Sequence, residues 1–372
     1  MGEKNASRPP VFVTRALIPS EDAFMERLRA IFSSHQLTNQ GPCVQQLENN
    51  LAHMMEVPTL SLCANGTLAL QLAIRLLGLN GKTVITTPFT YVATVSALLW
   101  EGCTPLFADI DPRTLCLCPE QTERLIRKHP ETAGILPVHV YGNACDVAAM
   151  RDLGQRYGLP VLYDAAHAFG SRLHGKSLFA WGDAATGSFH ATKLFHTVEG
   201  GCVVSPHAGD QESLRLLRAF GHCDDNHIRP GINAKMSELH AAVGLCLLPQ
   251  LPEILRDRAA RCALYDAVLP WDDGLRGPRL APGLEWNHAY YPVIFPDGAV
   301  MRDVLAALKA RDIHPRRYFY PSLTKLPYLQ SPSCPEAEDV AERVLCLPLW
   351  PDMEEDLIRE IGATVSSVMA GA

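Results

Sequence analysis

The sequence predicts an α/β fold, with a mostly parallel sheet covered by helices on both faces and a smaller α+β unit after it. Three observations carry this expectation. Short β-type apolar runs alternate with amphipathic helical stretches through the first half of the chain. After about residue 207 the pattern turns helical, and a Pro- and Gly-rich link, PWDDGLRGPRLAPG, then sets off a further strand and two helices. The length, 372 residues, exceeds what one small core requires. The division expected is a large domain over 1–250, with an N-terminal helical segment, and a small one over 251–372.

The elements follow in chain order. SEDAFMERLRAIFSS places Phe24, Leu28 and Ile31 on one helical face, with Ser20 as N-cap. VQQLENNLAHMM repeats the pattern with Val44, Leu47, Leu51 and Met54. KTVITTP, TPLFADI, GILPVHV, LPVLYDAA, ATGSFH and GCVVSP read as strands. Helical stretches such as PEQTERLIRKH and DVAAMRDLGQRYG lie between most of the early ones. The region beginning SELHAAVGLCLLPQL predicts one long helical segment bent near Pro249 and Pro252, because proline lacks the N–H that a helix interior uses. AYYPVIF reads as a strand, AVMRDVLAALKARD as a helix, and a last helix starts near Met353.

Composition narrows the function classes. The net charge of −7 argues against a general nucleic-acid binder but not against a local basic pocket. No apolar stretch reaches the ~20 residues of a membrane helix. The start, MGEKNASRPPVFV, lacks an apolar signal core, and Ala6 stands where acylation requires Ser or Thr. The twelve cysteines are scattered, and Cys116 and Cys118 are too close for finger spacing. No metal site is expected, and reduced thiols in a cytoplasm are.

Ligands of open α/β sheets sit at the carboxyl ends of strands, and four places there carry polar groups. In CANGTLALQLAIRLLG, Gly66 and Thr67 open a helical pattern, which reads either as an anion cradle or as a turn with an N-cap. In LPVLYDAAHAFG, Asp164 ends a buried-looking strand, where a carboxylate requires a cation or several hydrogen bonds. A protonated ring nitrogen is one such cation, and capping of the next turn is the plain alternative. His167 is either a ligand contact or a core histidine. In SFHATKLFHTVEGG, Lys193 is either a solvated lysine or, if buried, a neutral amine able to form an imine with an aldehyde. Ser188, five residues earlier, could donate a hydrogen bond to a phosphate. In TTPFTYVATVSALLWEG, Tyr91 stands at a helix start, either to stack on a ring or to fill the core. Amine, carboxylate and anion cradle together are the parts that a pyridoxal-phosphate site needs.

These residues resemble the DegT/DnrJ/EryC1/StrS sugar aminotransferases. The likeness runs through LTNQGPCVQQLE, NGTLAL, PFTYVAT, PVHVYG, YDAAHAFG, SFHATKLFHTVEGG, GINAKMSELHAAVGL and RRYFYPSL. It implies a fold-type I pyridoxal-phosphate transferase with a mostly parallel seven-stranded sheet. By the resemblance, Lys193 is the Schiff-base lysine and proton shuttle, and Asp164 is the partner of the pyridine nitrogen. His167 lies near the phenolic oxygen, and Tyr91 stacks on the ring. Ser188, Gly66, Thr67 and the Leu68 amide cradle the phosphate. Asn233 reaches the phosphate of a neighbouring subunit, implying a homodimer with shared sites. Lys193 argues against the family branch that carries histidine there and deoxygenates. Ala234 and Lys235 stand where many members have an aromatic and an arginine, and Val198 where glycine is common.

RRYFYPSL and NAKMSELHAAVG are most similar to enzymes that aminate C4 of a nucleotide-linked 4-keto-6-deoxyhexose, such as dTDP-4-keto-6-deoxyglucose. L-Glutamate is the implied donor, with the cofactor alternating between pyridoxal and pyridoxamine phosphate. Arg316, Arg317, Tyr318 and Tyr320 become contacts for the diphosphate or sugar, or else a surface group. Glu199 either binds a substrate hydroxyl or shapes the turn. C3-keto-sugar or cyclitol amination and a non-catalytic, regulatory pyridoxal-phosphate protein stay open beside this reading.

Overall fold

The computed structural model describes residues 8–371. Met1–Ser7, where most of the leader and acylation readings fall, lie outside the described residues. Seven strands form the main sheet: β1 (Thr59–Cys63), β2 (Thr83–Thr86), β3 (Thr104–Phe107), β4 (Thr132–Leu136), β5 (Leu162–Asp164), β6 (Ala184–Ser188) and β7 (Gly201–Ser205). β3, β2 and β4 pair in parallel, as do β5 and β6. Parallel bridges Ile135↔Val161 and Val138↔Asp164 join the two sets. β7 runs antiparallel between β6 and β1. The order across the sheet is β3-β2-β4-β5-β6-β7-β1, with only β7 reversed. β1 and β7 are buried at every position, as sheets covered on both faces demand.

The helices are α1 (Glu21–Ser34), α2 (Pro42–Met55), α3 (Gly66–Leu76), α4 (Ala93–Trp100), α5 (Pro119–Lys128), α6 (Val147–Tyr157), α7 (Asp210–Leu217), α8 (Glu238–Leu247), α9 (Leu251–Val268), α10 (Gly298–Lys309), α11 (Pro335–Arg343) and α12 (Glu355–Met369). Ser20 caps α1 by accepting the Ala23 N–H at 3.5 Å. α2 has no local side-chain cap. Instead the Glu238 carboxylate on α8 accepts the Cys43 and Val44 N–H groups at 2.7 and 3.0 Å. The buried face of α2 is Val44, Leu47, Leu51 and Met55, with Met54 only partly covered. At about 3.6 residues per turn, position 55 returns to the line of 44 and 51, and position 54 falls short of it.

The bend expected near Pro249 and Pro252 is a 3₁₀ turn, Leu248–Gln250, between α8 and α9. The expected domain boundary thus falls at the first turn of α9. That helix begins in the main core with Leu251 and Ile254 and ends in a second core with Cys262 and Tyr265. The second core gathers α10, α12 and the antiparallel pair β8 (Tyr291–Ile294) and β9 (Val344–Leu347). Val11 joins it, because Val11–Phe12 pairs in parallel with Ile313–His314. Tyr318 and Phe319 pack against the main core instead, which brings the second unit to the edge of the cleft.

Candidate active site

A cleft of about 670 Å³ opens at the carboxyl ends of the strands. The β7 register sets its first wall by placing Gly201 opposite both Cys63, the end of β1, and Ser188, the end of β6. A Cβ on Gly201 would stand 2.5 Å from the Asn65 carbonyl oxygen and 2.8 Å from Gly66 N. A Cβ on Gly66 would stand 2.8 Å from Ser188 Cβ. The absent side chains let the start of α3 and the Ser188 hydroxyl meet at one point. This is the reason for the second glycine of VEGG. The Gly66 and Thr67 amides precede the first bond of α3, Ala69 N–H to the Asn65 carbonyl at 3.0 Å, and so remain for an anion. The expectation for Leu68 is corrected here: its amide is donated to Asn65 Oδ1 at 2.9 Å, which is the helix cap.

Asp164 ends β5 and is 5 % exposed. Its Oδ2 accepts the Thr94 hydroxyl at 2.8 Å and its Oδ1 the Ala166 N–H at 3.0 Å. Thr94 also meets the Thr90 hydroxyl at 2.9 Å. Among the described residues no Lys, Arg or His stands in ion-pair range of this carboxylate. Burial raises its pKa, opposed by the Ala166 N–H, by Thr94 and by the field of Lys193. A buried carboxylate with two donors and no adjacent cation has room for a protonated heterocyclic nitrogen.

Lys193 lies in the loop after β6, half-buried in the cleft wall. Burial lowers its pKa to about 8, with Asp164 and Tyr91 pulling it up and Arg316 pushing it down. A useful fraction of the amine is then neutral and nucleophilic near physiological pH. His167 is buried, and its Nδ1 accepts the Tyr141 N–H at 3.3 Å. Burial and the nearby Lys193 push its pKa well down, so the ring is neutral and carries its proton on Nε2. Tyr91 is 50 % exposed and lines the cleft one helical turn before Thr94.

The structure separates the other candidates. Arg316, Tyr318 and Glu199 line the cleft. Glu199 lies 3.6 Å from His190 Nε2. Arg317 and Tyr320 do not line it. The Arg317 guanidinium bonds Glu342 at 3.0 Å and lies over the Tyr320 ring at 3.3 Å. Arg316 pairs with Cys346 in a strand-like bridge, and extended backbone sends neighbouring side chains opposite ways. The tandem arginines therefore do not form one clamp. Asn233 lies outside its own chain's cleft, exposed, and accepts from Lys235 Nζ at 2.7 Å. Val198, where the family often has glycine, adopts φ +67°.

The sequence reading missed Thr94, Tyr141, His190 and Tyr290. Thr94 had a signal, lying three residues past Tyr91 on the same helical face. Tyr290 had none, since 97 residues separate it from Lys193, whose Nζ lies 3.5 Å from its hydroxyl.

The cradle, the unpaired carboxylate and the cleft amine fit pyridoxal phosphate. Comparison with known proteins agrees with this chemistry. The sequence profile of the DegT/DnrJ/EryC1/StrS aminotransferase family matches residues 20–366. A dTDP-4-amino-4,6-dideoxy-D-glucose transaminase from Shigella dysenteriae is 38% identical over 96% of this chain and 99% of its own. GDP-perosamine synthase from Vibrio cholerae is 30% identical over 90% of this chain and 93% of its own. The crystal structure of DesI in the presence of its TDP-sugar product superposes with a TM-score of 0.92 at 34% identity, covering 98% of this chain and 95% of that one. The chain belongs to the DegT/DnrJ/EryC1/StrS aminotransferase family.

Proposed function

We propose that this aminotransferase binds pyridoxal phosphate in the cleft and moves the amino group of L-glutamate to C4 of a nucleotide-linked 4-keto-6-deoxyhexose, with dTDP-4-keto-6-deoxyglucose the foremost candidate. The observation that supports the cofactor assignment is Asp164, buried in the wall of the cleft that also holds Lys193, with two hydrogen-bond donors and no adjacent cation. The sugar rests on the dTDP-4-amino-4,6-dideoxy-D-glucose transaminases among its relatives and on DesI with its TDP-sugar product. Glutamate follows from the family resemblance.

Bound pyridoxal phosphate supplies an aldehyde to carry the amino group and a ring to take up an electron pair. Lys193 would hold the group through its neutral amine and, when free, would carry a proton between carbon atoms. Asp164 keeps the ring nitrogen protonated, and Thr94 holds the carboxylate in place. His167 would offer its Nε2–H to the phenolic oxygen. Gly66, Thr67 and Ser188 would hold the phosphate, and Tyr91 would cover the ring. Arg316, Tyr318 and Glu199 remain for the substrates at the cleft wall.

A homodimer belongs to the same proposal. Asn233 is exposed and outside its own cleft, and Phe220, Ile228 and Ile232 nearby expose apolar surface. A second copy would cover that surface and receive Asn233. A cytoplasmic setting is part of it too, supported by the scattered cysteines. No helix among the described residues is long and apolar enough to cross a membrane.

The test mixes purified protein, glutamate and a panel of nucleotide keto sugars, and weighs the products. Lys193→Ala is expected to lose the visible absorbance of lysine-bound cofactor and to slow amino transfer by about 10⁴-fold or more. Turnover retained in that variant would falsify the assignment. Attachment of the cofactor to wild type should accelerate as pH rises through about 8, because the ammonium then becomes the free amine.

A further inference from the structure

Lys193 serves the proposed reaction in two situations, covalently attached and free. The free amine needs a place within the cleft. Among the described residues, the groups that bear on it are Asp164 at the end of β5, His167 in the loop that follows, Tyr91 before α4, Arg316 beside Tyr318, and Tyr290. Tyr290 alone among the described residues places a hydrogen-bonding atom against the amine, accepting from Lys193 Nζ at 3.5 Å. Its ring lies 6.0 Å from the same nitrogen.

Tyr290 is itself held firmly. Arg258, 4 % exposed, donates to the His288 carbonyl at 2.8 Å and to the Ala289 carbonyl at 2.6 Å, just before Tyr290. Asn287 donates to the His167 and Phe169 carbonyls, each at 2.8 Å, and accepts the Ala289 N–H at 3.0 Å. The Asn287–Tyr290 segment is therefore tied to the loop that carries His167. The Tyr290 ring lies 4.6 Å from the His167 ring and 5.4 Å from that of Tyr318. Tyr141, its ring centre 6.1 Å away, and Arg316, Arg258 and Cys346 also bear on it from the other elements. A phenol buried this way requires a partner, and the amine is the one within reach.

We propose that Tyr290 is the positioning residue for Lys193, its hydroxyl holding the amine whenever the lysine is not covalently engaged. This rests on the aminotransferase reading. The proton released by the donor's carbon passes to Lys193 Nζ and returns from it to a carbon. Tyr290 accepts a hydrogen bond from the resulting ammonium and neither gains nor loses a proton. The hydroxyl thus stabilises the charged form and fixes where the base waits.

The test compares Tyr290→Phe, which keeps the ring, with wild type and with Tyr265→Phe. Tyr265 is a buried tyrosine of the second core that donates to the Pro348 carbonyl, and its variant controls for loss of a buried hydroxyl. Trace acylation of cofactor-free protein across about pH 6–10, read at Lys193 by peptide mass, gives the amine's midpoint. In Tyr290→Phe the midpoint should fall by about half a unit to one unit, and in Tyr265→Phe it should not move. With cofactor, Tyr290→Phe should keep the visible absorbance of attached Lys193 and react with glutamate about tenfold more slowly. A wild-type midpoint in Tyr290→Phe overturns the proposal. Wild type that ignores glutamate refutes the aminotransferase reading, and the acylation midpoint, which uses no cofactor, still decides the Tyr290 contact.

Discussion

Two of the buried carboxylates around the main sheet, Glu48 and Asp164, are treated in opposite ways. Glu48, on α2, meets Arg218 Nη1 at 2.6 Å and accepts the Leu62 N–H at 2.7 Å, with Gln40 donating to its other oxygen. Arg218, just past α7, also donates to the Leu62 carbonyl at 2.5 Å. The pair ties α2, β1 and the end of α7 together, and its charges are met within the protein. Asp164 receives two hydrogen bonds and no cation. The first carboxylate has nothing left to offer a ligand. The second meets only neutral donors, and its burial favours the protonated form. A closed network holds the scaffold rigid beside a site left open, which is how the main sheet can support a strained charge.

Breaking each side of this contrast should give opposite signatures. Asp164→Asn is expected to have the larger effect, slowing amino transfer by about 10³-fold, because an amide cannot hold a ring nitrogen protonated. The cofactor-free variant should unfold no more easily than wild type. Burial holds the Asp164 pKa above its usual range, so the folded protein binds the proton more tightly than the unfolded chain does. The group therefore lowers stability as pH rises through that range, and asparagine removes this slope. Denaturation at several pH values without cofactor checks it.

Glu48→Gln should do the reverse. Leaving Arg218 buried without its anion should cost about 3 kcal/mol in urea denaturation, with transfer per folded molecule within about twofold of wild type. Loss of activity in step with Asp164→Asn would show that the two carboxylates are coupled. The smallest effect concerns Val198, a β-branched residue at φ +67°. Val198→Gly should raise stability by about 0.5–1 kcal/mol, since glycine adopts this region freely. An unchanged or lower denaturation midpoint would mean that the surrounding turn relies on the valine side chain.

Much of this was legible along the chain because it depends on local chemistry. Alternating β-type runs and amphipathic helices announced the α/β sheet, and Pro249 and Pro252 announced the break between α8 and α9. Lys193, Asp164, Ser188 and Gly66 stood out by residue type and by their place after apolar runs. Leu68 was misread because a helix cap competes for its amide, and the cap residue Asn65 lies three positions away. The sequence leaves the arginine pair open between substrate contacts and a surface group, because adjacency does not show that an extended backbone points the two side chains apart.

Residue order thus dictates hydrophobic rhythm, helix caps, breaks and the inventory of reactive groups, all settled within a few neighbouring positions. Folding decides which distant groups meet. The reversed β7 brings Gly201 against Gly66 and Ser188, and Arg258 and Asn287 set Tyr290 beside Lys193. Those encounters depend on strand order and register, which arise when the whole chain buries its apolar faces at once, and no short window of sequence contains them.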